Sequence, residues 1–113
     1  MEPLDWTSLR ENCAGDESLV NEVLELFRRE VDGLTRDVRV AVEARDALAI
    51  KRSAHRLKGA LVSLGARPSV EAARLLELSG ATHELDDADV GMAQLDYELR
   101  RLIKAISLPS AAA

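Results

Sequence analysis

The sequence predicts an all-α protein, an up-down-up-down antiparallel four-helix bundle with a short N-terminal capping helix. Three observations carry this prediction. Ala, Leu and Val are abundant while aromatics make up only 3% of the chain, a composition that favours helix over sheet. Apolar residues recur at spacings of three and four along four separate stretches. Short connections join those stretches, with Asp, Gly or Pro at the positions that start or stop helices. The 113 residues carry 15 Lys and Arg against 20 Asp and Glu, a net charge of -5. One domain is expected over residues 1–113, with its core at about 4–106 and a loose tail at 107–113. A chain of this size buries about two thirds of its surface, so no staple is needed and the single Cys13 reads as a small packing residue. No leader and no apolar run of about 20 residues is read in the chain, and a cytoplasmic setting is expected.

Asp5 is placed to cap the first helix, through Trp6, Leu9 and Arg10, which stops near Ala14 and Gly15 and lids the bundle. Asp16 caps the second, whose inward face is Val20, Leu24, Phe27, Val31, Leu34, Val38 and Ala41; Gly33 is a candidate bend within one long helix. After the tight connection Ala44-Arg45-Asp46, Asp46 caps the third helix, which buries Ala47, Ile50, Ala54, Leu57, Leu61 and Leu64, and Gly65 stops it. Pro68 suits the first turn of the fourth helix, which turns Val70, Ala73 and Leu76 inward and ends at Ser79 and Gly80. A polar loop from Ala81 to Asp86 precedes the fifth, with Ala88, Met92, Leu95, Leu99, Leu102 and Ile106 inward. Trp6 and Tyr97 read as packing groups, and His83 as a solvated loop residue.

Charge is unevenly placed. Residues 51–76 hold Lys51, Arg52, Arg56, Lys58, Arg67 and Arg74 against Glu71 alone, so this segment is basic on an otherwise acidic chain. Such a face suits an anionic ligand or an acidic partner. His55 stands at its centre, about 130° around the helix from the middle of the buried stripe, and so faces solvent. Leu48, Gly59 and Val62 lie within about 40° of it, and Lys51 and Lys58 within about 60°. Two apolar residues on an outward face suggest a docking collar, and Gly59, costly inside a helix, leaves room for another backbone. Free imidazole titrates near about 6.5, so at neutral pH it is largely an uncharged nucleophile able to take a phosphoryl group. Lys58 and Lys51, one turn to either side, are placed to hold the added charge.

The stretch Ala54-His55-Arg56-Leu57-Lys58-Gly59, followed by Leu64-Gly65-Ala66, resembles the signature of histidine-containing phosphotransfer (HPt) domains. The resemblance extends to Leu4-Asp5, Gly15-Asp16, Phe27, Asp46 and Leu76-Glu77. It implies the same helical bundle, His55 as phosphoacceptor, Lys58 as phosphate-side cation, and Gly59 as the point of close approach. The helix face itself adds Lys51 as a second phosphate-side cation and Leu48, Val62, Arg52 and Arg56 as the docking surface. The implied partners are receiver domains of response regulators and hybrid sensor kinases, with Mg²⁺ belonging to the receiver and no cofactor in this chain. Two departures stand out: Ala60 replaces the small hydroxyl residue common after the motif glycine, and Glu77 lies where some members carry a Gln that orients the imidazole. A carboxylate there can accept the ring N–H or repel phosphate, and the sequence leaves both open.

The function expected is therefore a phosphocarrier, taking a phosphoryl group from an aspartyl phosphate onto His55 and passing it to another regulator. It is not itself an enzyme, since neither GxxxxGK[ST] nor GxGxxG is present to cradle a nucleotide. The rival reading is an adaptor bundle whose basic helix, residues 51–58, binds an acidic protein without covalent chemistry. Nucleic-acid binding is disfavoured by the acidic remainder and scarce aromatics. A carboxylate-bridged metal bundle is disfavoured because no Glu-x-x-His pair occurs. No membrane contact is expected, and a monomer can close its own core.

Overall fold

The computed structural model describes residues 1–107; residues 108–113, nearly all of the expected tail, lie outside the described residues. The described residues form five helices and no strand: α1 (Trp6–Asn12), α2 (Glu17–Glu43), α3 (Ala47–Leu64), α4 (Arg67–Thr82) and α5 (Ala88–Ile106). Each long helix packs on the next in sequence, and α5 returns against α2 to close the bundle. The apolar stripes read from the sequence form one core, in which Ile50, Ala54, Leu57, Leu61, Leu95 and Leu102 are wholly buried. Leu34 and Val70 sit only at its margin.

Helix starts follow the aspartates. The Asp5 carboxylate accepts from the Ser8 backbone N–H at 3.0 Å and the Ser8 hydroxyl at 2.9 Å. Asp16 accepts from the N–H groups of Ser18 and Leu19, and Asp46 from that of Ala49. Each such cap is worth about 1 kcal/mol. Gly65 takes a left-handed φ of 74° to end α3, and its carbonyl accepts the Asp5 N–H at 3.1 Å. That bond ties the entry of α1 to the α3–α4 turn, so α1 closes one end of the bundle with Leu9 fully buried.

As expected, α2 passes through Gly33 as one continuous helix. The structure differs from the sequence reading at three places. First, Gly80 does not end α4. The helix runs to Thr82, and His83, at a left-handed φ of 59°, closes it; the N–H groups of His83 and Glu84 donate to the carbonyls of Gly80 and Ser79. Gly80 instead lies against α3, where a Cβ would come within 2.5 Å of the Ala47 carbonyl oxygen and 2.6 Å of the Lys51 nitrogen. Second, Tyr97 is 52% exposed, with the Arg101 guanidinium 5.9 Å from its ring centre. Third, Glu98 is buried within the apolar stripe of α5; both its carboxylate oxygens accept from Arg101 Nη1, at 3.1 and 3.2 Å, which offsets the cost of burying it.

The two helical glycines of α3 and α4 should respond oppositely to a methyl group. Gly80→Ala forces α4 away from the α3 backbone and should cost about 1–3 kcal/mol. Gly59 has nothing within 4 Å of its would-be Cβ, so Gly59→Ala should be neutral or stabilise by up to about 1 kcal/mol. Urea denaturation of both variants measures this; equal effects would contradict the contact assigned to Gly80.

Candidate functional site

The buried stripe of α3 fixes the direction of His55. Ala54 and Leu57 point into the core, so the intervening His55 points out, with its side chain 67% exposed. Gly80 lets α4 lie close against the first turns of α3. Because the two helices run antiparallel, moving one turn back along α4 from Gly80 to Glu77 corresponds to moving forward along α3 from Lys51 to His55 and Lys58. Glu77 consequently meets both: its Oε2 lies 2.6 Å from His55 Nδ1 and its Oε1 lies 2.5 Å from Lys58 Nζ. Only 18% of the Glu77 side chain and 25% of that of Lys58 are exposed.

The charge state of Glu77 decides the chemistry of the ring. Burial pushes its carboxyl upward, but the hydrogen bonds from Lys58 and His55, reinforced by their charges, outweigh burial and hold it below the ordinary carboxylate value. An ionised carboxylate can only accept, so the hydrogen shared with His55 belongs to Nδ1. A neutral imidazole carries one hydrogen, which leaves Nε2 with a bare lone pair on the solvent side.

The other expected residues lie around this pair. Gly59 is exposed, one turn beyond His55, with open space over it. Leu48 and Val62 are about half exposed. Lys51 and Arg52 are exposed and make no hydrogen bond or ion pair among the described residues. Arg56 faces Asp37 of α2 loosely, at 3.7 Å, with both side chains largely in solvent. The sequence did not reveal that Lys58, expected as a free cation, is engaged by Glu77. The pair spans 19 positions and two helices, and only the α3–α4 register brings it together.

The described residues thus form an all-helical bundle with His55 standing out from α3 and held by a carboxylate from α4. Comparison with known proteins shows which class this is. Residues 22–107 match the Hpt domain family. Among solved structures, the crystal structure of histidine-containing phosphotransfer protein B (HptB) from Pseudomonas aeruginosa PAO1 is similar at 26% identity, over 89% of each chain, with a TM-score of 0.80. No curated protein matches the chain in sequence. The chain belongs to the Hpt domain family. Members are histidine phosphotransfer carriers in phosphorelays, distinct from kinases, and work with response regulators and histidine kinases of two-component systems. Among the described residues no helix is long and apolar enough to cross a membrane.

The Glu77 bridge carries a signed pH dependence. Its folded value lies below the ordinary 4.5, so the unfolded chain takes up the proton first as pH falls. The bridge therefore stabilises the fold above about pH 4.5, and that contribution is lost as pH drops through the folded value. Thermal melts of wild type and Glu77→Gln should show a gap that closes as pH falls below about 4.5. A gap undiminished at about pH 3 would contradict the bridge.

Proposed function

We propose that this chain takes a phosphoryl group from the aspartyl phosphate of a receiver domain onto Nε2 of His55 and delivers it to the aspartate of a second response regulator. The observation that carries this reading is the exposed His55 ring, with Nδ1 occupied by Glu77 and Nε2 open beside the uncovered Gly59. In the forward step the Nε2 lone pair attacks phosphorus, the phosphorus–oxygen bond to the receiver aspartate breaks, and the aspartate leaves with the electron pair. Nδ1 keeps its hydrogen, so the ring becomes cationic, and the Glu77 carboxylate balances that charge. Delivery is the same step reversed on another receiver. When bound, the Mg²⁺ assigned to the receiver neutralises charge on the phosphoryl oxygens.

Lys58 has three N–H donors and gives one to Glu77. The reading assigns its remaining donors, with those of Lys51, to the phosphoryl oxygens. Leu48, Val62 and Gly59 supply the surface on which the receiver sits, with Arg52 and Arg56 at its edge facing an acidic partner. Donation from the receiver of a hybrid sensor kinase, a cytoplasmic setting and a monomeric state belong to the same proposal. So does the absence of kinase activity of its own.

His55→Gln tests the reading against an adaptor that only binds. The variant should still bind the receiver and should take no label from a phosphorylated one; continued relay through it would overturn the proposal. Lys58→Ala should slow transfer about tenfold, the loss of one charge-assisted hydrogen bond, with a smaller effect on melting temperature. Gly59→Leu should keep its helix content while losing receiver affinity, and docking that survived it would remove Gly59 from the contact surface.

A further inference from the structure

Away from His55, a groove of about 680 Å³ runs between the C-terminal half of α4 and the N-terminal half of α5. Leu75, Leu78 and Val90 line it and are 46%, 49% and 69% exposed, a concentration of apolar side chains that the closed core does not need. Gly91 forms part of the floor, where a Cβ would come within 3.0 Å of Leu76 Cδ2. At one end the groove is rimmed by Glu84, Asp86 and Asp87. None of the three side chains makes a hydrogen bond or ion pair among the described residues; Asp87 is the N-cap residue of α5, yet its carboxylate accepts from none of the helix's N–H groups. Among the described residues no Lys or Arg lines the groove.

We propose that this groove docks a basic amphipathic helix of a partner protein. Leu75 and Leu78 are one turn apart on α4 and, with Val90 across the groove, offer apolar seats spaced for side chains at i and i+3 or i+4 of a helix laid along it. The unpaired carboxylates then meet Lys or Arg at the edge of that helix, a complementarity the basic α3 face does not provide. The rim is preformed: the N–H of Glu84 donates to the Ser79 carbonyl at 3.1 Å and that of Gly91 to the Asp87 carbonyl at 2.8 Å, which fixes the loop backbone presenting the acids. On α4, Leu78 and Leu75 lie about 100° and 160° around the helix from Glu77. The groove therefore stays open while a receiver covers His55, and the two partners, one seated on a basic face and one on an acidic one, can be held at once. This inference does not depend on phosphorylation of His55.

A fluorescein-labelled helical peptide of Leu and Lys, about five turns long, is the probe, titrated into the whole chain at low salt and followed by anisotropy and amide NMR shifts. Shifts should centre on Leu75, Leu78, Val90 and residues 83–87. Affinity should fall about tenfold in the triple variant Glu84→Gln, Asp86→Asn, Asp87→Asn, at positions whose side chains bond to nothing among the described residues. Val90→Asp should weaken binding at least as much, and a Leu/Glu peptide should not bind. Shifts centred on α3, no shifts at all, or equal affinity in the neutralised variant would overturn the proposal. Self-association of the chain that Val90→Asp abolishes would also overturn it, by making a second copy the occupant.

Discussion

One carboxylate joins the two halves of this molecule's chemistry. Glu77 is bonded to the imidazole of His55 and to the ammonium of Lys58, and it is held ionised by both against the burial that would protonate it. An exposed histidine on a helix is otherwise a rotor, free to present either nitrogen in either tautomer. The bridge removes that freedom: it fixes the ring, puts the hydrogen on Nδ1 and turns Nε2 outward. The same carboxylate pairs with Lys58 and keeps its ammonium next to the group that holds the ring. A small ion network at the surface thus supplies orientation, protonation state and cation placement together.

The network exists only if α3 and α4 hold a particular separation and register. Gly80 sets the separation, since any side chain there would meet the backbone of Ala47 and Lys51. The turn at Gly65 sets the register, and the N–H of Asp5 bonded to the Gly65 carbonyl holds that turn beneath α1. A residue at the N-terminal entry, a turn and a glycine near the far end of α4 are therefore all linked to the geometry at His55. The core beneath it is built from Ala54, Leu57, Leu61 and Leu76, and gives the two helices a rigid footing.

Much of this was legible in the sequence because it rests on local physics. Capping by Asp5, Asp16 and Asp46 depends on residues within three positions, and the α3 stripe from Ala47 to Leu64 depends on helical periodicity alone. The outward direction of His55 follows from the same periodicity. What the sequence withheld depends on contacts between helices. Gly80 looked like a stop because glycine commonly ends helices, whereas here it is a contact point and His83 closes α4. The sequence could not show that Glu77 bonds both His55 and Lys58, because the three residues meet only through the packing of α4 on α3. Glu98 was missed because a polar residue breaks the apolar pattern, and only its pairing with Arg101 explains its burial.

The most direct test of this account is long-range ¹H–¹⁵N correlation of the His55 ring in the unphosphorylated protein, at a pH where the imidazole is neutral. The account predicts that Nδ1 carries the hydrogen and Nε2 is bare, and that this preference weakens in Glu77→Gln. A ring protonated on Nε2, or a tautomer ratio indifferent to Glu77, would contradict it.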